Sequence, residues 1–471
     1  MLRRYRGYLT DWITGESRTI PTDDQHIKPG YGPFIGLWPE KRSGTWHFVP
    51  MRYTKEGHLM MIAPSRSGKA RDVLIASLLT TRNSCIVVDI KGELAAITAR
   101  ARRALGHRIV CINPFGLHSG APWHLPQHGF NPLERLDPAS PNFTAGLEGL
   151  GGAVVVHDSQ ESAHWSSSAR ALFAGLVCDE VVTAKREGRT PSLGRVRSYI
   201  VMSDDDFERC MQAKIEAAAT GLVADRLTQF VRLTNESRSV RSTLKAQSTF
   251  MSDAAIVAAL ERDDIDFADL KGEEPITVYI ILPSSLIVPG MTYARFIRLL
   301  LQSAIDTMMA TPKRHNRPVW MVVDEMYSLG SMPVLERTMS EGAGYGILLQ
   351  PIIQNLGQLK ELYRNNWETF IANSSCTTFF APRDNTTAEY VSKLLGQYTA
   401  QTQTINARGE VSHGETGRPL LRTEEVMQLA EHQMLVLLRD CPNPLLMCRS
   451  PYFKETWGLA GSFDPNPYHV E

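Results

Sequence analysis

A short apolar run, His58-Leu59-Met60-Met61-Ile62, stops at a turn of small residues, Ala63-Pro64-Ser65-Arg66-Ser67-Gly68, followed by Lys69. No other feature constrains the fold more. A strand that ends in a glycine turn and gives way to a helix, here predicted over 70–79, reads as a P-loop. Main-chain N–H groups of the turn and the helix N-terminus cradle phosphate, and the lysine neutralises its oxygens. Two positions depart from the GxxxxGK[ST] pattern. Ala63 replaces the first glycine, which is tolerable at negative φ. Ala70 replaces the hydroxyl residue that usually binds magnesium, so water, Asp324 or another residue must serve; Ser65 and Ser67 are the hydroxyls in the turn.

Roughly 250 residues on, Val319-Trp320-Met321-Val322-Val323 reads as a buried strand ending in two carboxylates, Asp324 and Glu325. Each run alone has a plain structural reading, a small-residue turn in one case and a helix cap in the other. Their joint occurrence in this order points to ATP hydrolysis. The nucleotide would contact Pro64, Ser65, Arg66, Ser67, Gly68, Lys69 and Ala70. Asp324 would hold Mg2+ and Glu325 would polarise the attacking water. A third strand ends at Gln354, whose amide both donates and accepts and can sense the γ-phosphate. Lys69, Glu325 and Gln354 are thus the expected catalytic set, with ATP and Mg2+ as cofactors.

The chain has 471 residues, enough for two or three domains. Lys plus Arg and Asp plus Glu number 50 each, so any nucleic-acid surface must be local. One helical stretch gathers Arg226, Arg232, Arg238, Arg241 and Lys245 against Glu236, a basic face that could meet phosphates or simply face solvent. The 7 cysteines are scattered with no CxxC pair, which suits a reducing cytosol and argues against a disulfide framework. No stretch approaches the ~18 apolar residues that cross a bilayer. The basic start, Met1 to Arg6, lacks a signal-peptide core. The expectation is a cytoplasmic chain, peripheral at an inner membrane only through a partner.

The patterns divide the chain into an N-terminal segment of loops and short strands (1–50), a first α/β part (51–137), an all-helical insertion (138–272) and a second α/β part with a C-terminal extension (273–471). Strand, helix, strand, helix, strand from 58 to 112 is the signature of a parallel sheet. Helical periodicity covers 164–184, 203–218, 223–234 and 242–260. Strands return at 276–282, 319–324, 346–353 and 376–381, with helices between. Residues 397–418 read as a polar, exposed loop.

These residues also carry a family resemblance. The chain resembles the type IV coupling proteins, the TraG/TraD-type ATPases of conjugation and type IV secretion. The P-loop run looks like their Walker A. Val88-Asp89-Ile90-Lys91-Gly92-Glu93-Leu94 looks like their D-P-K-G-E-L run, with Ile90 in place of proline. Phe130-Asn131-Pro132-Leu133 looks like their N-P-L motif. His164-Trp165 and Ser168-Ala169-Arg170 resemble the start of their helical domain. Asp324-Glu325 with Leu329-Gly330 looks like their Walker B, and Gly344-Tyr345-Gly346 through Gln354 and Gln358 their glutamine segment. Asp384 with Thr387-Ala388-Glu389-Tyr390, and Gly417-Arg418-Pro419-Leu420 with Glu424-Glu425-Val426-Met427, resemble two C-terminal blocks. The resemblance implies a RecA-like P-loop domain, α/β with a mainly parallel sheet, carrying an inserted all-α domain. It implies a homo-hexamer in which an arginine such as Arg364 or Arg383 completes a neighbour's site. It implies partners: a relaxase–DNA complex or protein effectors, DNA itself, and type IV secretion channel components at the inner membrane. Two other functions fit the same residues: a nucleotide-binding receptor that hydrolyses weakly because of Ala70, and a RecA-like DNA pump without a channel.

Overall fold

The computed structural model describes residues 29–43, 45–156, 163–218, 221–288, 292–312, 317–405, 411–454, 459 and 461–469. Their strands, in chain order, are β1 (Phe34–Arg42), β2 (Thr45–Arg52), β3 (His58–Ile62), β4 (Cys85–Asp89), β5 (Arg108–Ile112), β6 (Ile276–Ile281), β7 (Val319–Val323), β8 (Ile347–Ile353), β9 (Ser374–Phe380), β10 (Gln397–Ile405), β11 (Val411–Pro419), β12 (Gln433–Leu438) and β13 (Leu445–Cys448). The chain forms two compact units, Met1–Arg82 with Leu349–Phe463, and Asn83–Leu348 with Asp464–Glu471.

In the first unit β3 lies between β8 and β9, parallel to both; Ile62 pairs with Ile353 on one side and Phe379 on the other. All residues of the three strands are buried. A strand covered on both faces needs no polar alternation, which is why these read as continuous apolar runs. From β9 the sheet continues antiparallel through β12, β13, β1 and β2. The β1–β2 hairpin is longer than the short strands expected of 1–50: it pairs from Phe34 with Arg52 to Arg42 with Thr45. Residues 1–28 of that segment lie outside the described residues.

The second unit has four parallel strands in the order β7, β4, β6, β5. Glu93–Ala104 connects β4 to β5, and Ala294–Ala310 connects β6 to β7. Between β5 and β6 come the helices Phe143–Val154, Ala163–Glu187, Leu193–Val201, Asp204–Glu216, Gly221–Leu227, Asn235–Gln247 and Ala254–Leu260. The helical periodicity at 223–234 and 242–260 is interrupted where side chains cap new helices. Thr234 accepts from the Ser237 N–H at 3.2 Å, and Asp253 from the Ala255 N–H at 2.9 Å. The class is α/β with a mainly parallel sheet and a helical portion, as expected.

The expected loop at 397–418 is instead a two-stranded hairpin, β10–β11, paired in register from Gln397 with Pro419 to Ile405 with Val411. Strands β12 and β13 had no counterpart in the sequence reading. Among the described residues no helix is long and apolar enough to cross a membrane.

Candidate nucleotide site

In the first unit β3 delivers the chain into the turn, and the Ala63 N–H donates to the Ile353 carbonyl at 2.9 Å. The turn closes with the Ser67 N–H on the Pro64 carbonyl at 3.2 Å, and Arg66 takes a left-handed φ of 59°. Gly68 sits at φ 86°; a Cβ there would lie 2.6 Å from Asp72 Oδ2 and 2.9 Å from Arg449 Nη1. Any other residue would be strained and would collide. Lys69 is already right-handed helical, at φ −51° and ψ −48°. The helix predicted at 70–79 begins as a π-helical turn, Ala70–Leu74, and continues as Ile75–Thr80. This is the strand, glycine turn and helix N-terminus that a phosphate requires. The buried Ser67 hydroxyl finds no hydrogen-bond partner among the described residues, so a polar group in the turn is left for a ligand.

The turn is held from behind by a buried ion pair. Asp72 and Arg449 are 1% and 3% exposed. Arg449 Nη1 donates to Asp72 Oδ2 and to the Ser67 carbonyl, and its guanidinium lies 4.2 Å over the Phe380 ring. Arg71 Nε donates to Asp72 Oδ1 at 2.5 Å, and the Tyr452 N–H donates to the Arg71 carbonyl at 3.0 Å. Burial pulls the Arg449 pKa below that of a free guanidinium, opposed by Asp72. The sequence reading missed this pair; nothing local connects positions so far apart. Also in this unit, β8 ends level with the P-loop strand, so Gln354 follows directly after the Ile62–Ile353 pair. Its N–H donates to Gln358 Oε1 at 2.9 Å. Arg364 and Arg383 are both exposed.

In the second unit β7 ends at Val323, paired with Val88 of β4, so Asp324 and Asp89 follow on neighbouring parallel strands. The Glu325 N–H donates to Asp324 Oδ1 at 3.0 Å. Glu325 takes φ 53° and ψ 43° and starts the 3-10 turn Met326–Leu329, closed by the Ser328 N–H on the Glu325 carbonyl at 2.9 Å. A left-handed glutamate costs roughly 1–3 kcal/mol and persists only where its surroundings impose it, a mark of functional turns. Asp89 is 4% exposed and accepts from the Ala95 N–H at 2.8 Å. Burial, helped by Glu93 and Asp324, pushes its pKa up to about 7, against the Ala95 and Lys91 amides that lower it.

The basic helical stretch is mostly committed inside this unit. Arg226 pairs with Glu148 at 2.7 Å; Arg238 and Arg241 both pair with Asp204, at 3.0 and 2.7 Å. Arg241 is buried, whereas Arg232 and Lys245 are exposed.

A family described as Type IV secretory system Conjugative DNA transfer matches residues 24–466. The conjugal transfer protein TraG of Escherichia coli is 26% identical over 455 residues, covering 91% of this chain and 68% of TraG. VirD4 of Agrobacterium fabrum is 26% identical over 439 residues, covering 90% of this chain and 62% of VirD4. The chain spans about two thirds of the length of these relatives. The plasmid coupling protein TrwB, solved with a non-hydrolysable ATP analogue, superimposes with a TM-score of 0.64 at 15% identity, over 91% of this chain and 97% of that one. TrwB with ADP and Mg2+ gives 0.62 at 16% identity, over 89% and 94%. At such identity these two likenesses speak to the fold. The match over nearly the whole chain gives the lineage: this chain belongs to the conjugative DNA-transfer family of type IV secretion systems, the type IV coupling proteins.

Proposed function

We propose that this chain is an ATP-hydrolysing coupling protein, which recruits a relaxase–DNA complex or protein effectors and drives them to a type IV secretion channel. The observation that carries the ATP part is the P-loop: a left-handed Gly68 with no room for a Cβ, Lys69 at the helix start, and a buried Ser67 hydroxyl with no partner among the described residues. TrwB, which shares the fold, binds ADP with Mg2+ and an ATP analogue. Family membership supports the transfer part.

In this reading the N–H groups from Pro64 to Ala70, proline excepted, and the helix start bind phosphate oxygens, and Lys69 neutralises the β and γ groups. Asp324 holds Mg2+, which supplies charge neutralisation on the phosphates. Glu325 accepts a hydrogen bond from the attacking water, and Gln354 reports the presence of the γ-phosphate. Subunits assemble as a hexamer in which Arg364 or Arg383 reaches a neighbour's nucleotide. The protein works at the cytoplasmic side of the inner membrane, recruited by channel components.

Equilibrium binding of a fluorescent ATP analogue, with Mg2+, tests the assignment. Lys69→Ala is expected to weaken binding by roughly a hundredfold, because a lysine–phosphate contact contributes several kcal/mol. Glu325→Gln is expected to bind as the wild type does. Equal affinity of Lys69→Ala and wild type would remove the P-loop from the account. Retrieval of secretion-channel proteins with the tagged chain separates a coupling protein from a DNA pump that has no channel. Ala70 favours one second reading, a receptor that binds nucleotide but turns it over slowly for want of a hydroxyl toward Mg2+.

A further inference from the structure

The helical insertion and the turn that starts at Glu325 share one side chain. Arg298, on the helix Ala294–Ala310, is 2% exposed. Its Nε donates to the Ala153 carbonyl at 2.9 Å and its Nη2 to the Gly152 carbonyl at 3.2 Å. Its Nη1 donates to the Leu329 and Ser331 carbonyls at 2.8 and 2.9 Å. The first pair closes the C-terminus of Phe143–Val154, the first helix of the insertion. The second pair straddles Gly330 at the far end of the Glu325 turn; Gly330 is itself left-handed, at φ 73°.

The helix end is built for cations. The last carbonyls of an α-helix have no partner within it and carry the negative end of its dipole. Here arginines take them in succession. Arg298 binds the carbonyls of Gly152 and Ala153, Arg295 Nε that of Val154 at 2.8 Å, and Arg170 Nε that of Val155 at 2.8 Å. Arg170 makes no hydrogen bond to the Glu325 turn among the described residues. Arg298 is hydrogen-bonded to both segments. A planar guanidinium with five donors at fixed angles can hold two carbonyl pairs at once; an ammonium cannot.

We propose that Arg298 is a positioning residue for Glu325: it holds the strained turn in its left-handed start and transmits movement of the helical insertion to it. The proposal rests on the ATPase reading and deepens it, by naming how the helical insertion reaches the water-activating carboxylate. Nothing in the geometry requires Arg298 to touch nucleotide. Its loss should therefore change turnover and leave binding alone.

The test compares Arg298→Lys with Arg170→Lys, which loosens the same helix end through a side chain with no hydrogen bond to the Glu325 turn among the described residues. Turnover is expressed per nucleotide-binding molecule, so unfolded protein does not count. Arg298→Lys is expected to bind ATP within about twofold of wild type and to lose roughly ten- to a hundredfold in kcat, the scale of a catalytic group displaced by an ångström. Arg170→Lys is expected to keep kcat within about twofold. Equal kcat losses in the two variants, or none in Arg298→Lys, would overturn the proposal. If Glu325→Gln turns over as fast as wild type, the ATPase assignment fails instead, and that outcome is read separately. Amide hydrogen exchange on the wild type supplies a measurement that needs no variant. Nucleotide should change protection at 326–331 and at 152–156 together; a change confined to one segment contradicts the link.

Discussion

Asp72 and Arg449 stand 377 positions apart and meet at the back of the phosphate turn. Removing one partner of a buried pair costs more than the pair itself contributes, since the other charge is stranded. Arg449→Met is therefore expected to destabilise the first unit by about 3 kcal/mol, the lower end for such pairs, because Arg71 remains beside Asp72. Adding Asp72→Asn should recover most of that loss. Urea midpoints of the two variants check it; a double variant no more stable than Arg449→Met would contradict the ion-pair account. Asp89 makes a pH prediction. Its pKa rises from 3.8 to about 7 in the fold. Below the unfolded value both states hold the proton and burial has no ionic cost. Between about 4 and 7 the unfolded chain releases a proton that the native state keeps, so stability falls as pH rises, and above 7 the penalty is constant. Asp89→Asn should flatten the decline of thermal midpoint from pH 4 to 7, measured without divalent cations. Parallel profiles for the two proteins would argue against a buried neutral Asp89.

At the scale of elements, legibility followed burial. Strands β3, β4 and β7 are buried along their whole length, so their apolar runs and terminal turns stood out in the sequence. The hairpin β10–β11 did not. Gln397 to Ile405 is mostly polar, and its Tyr398, Ala400 and Ile405 do not share one face, so a period-2 pattern has little to mark. Its order comes from pairing with β11, which only the three-dimensional register reveals. Strand β12 was legible in Met434-Leu435-Val436-Leu437-Leu438 and was overlooked; β13 has four residues, near the limit of any pattern. The site divides in the same way. Lys69, Asp324, Glu325 and Gln354 stand in short runs of set residue types at strand ends, which a sequence pattern can mark. Arg298 and the Asp72–Arg449 pair carry no such mark. Arginines that bind main-chain carbonyls can be recruited from any helix that passes, and their acceptors have no sequence identity.

At the scale of the whole chain, the formal charge balances to +0 and the arginines of the helical portion are largely paired with its own acids. Any grip on nucleic acid must come from a local surface rather than from bulk charge, with a salt dependence set by the phosphates that surface contacts. What the molecule offers beyond its lineage is a glycine turn whose buried Ser67 hydroxyl has no partner among the described residues, and a left-handed Glu325 whose turn shares Arg298 with the helix Phe143–Val154. Both features are what the proposed binding and turnover of nucleotide would use. The most direct measurement is steady-state ATP hydrolysis by purified wild type and Glu325→Gln, each with and without single- and double-stranded DNA. The account predicts wild-type turnover that rises with DNA and a fall of roughly a hundredfold or more in Glu325→Gln, at unchanged ATP affinity. Equal turnover by the two proteins would contradict it.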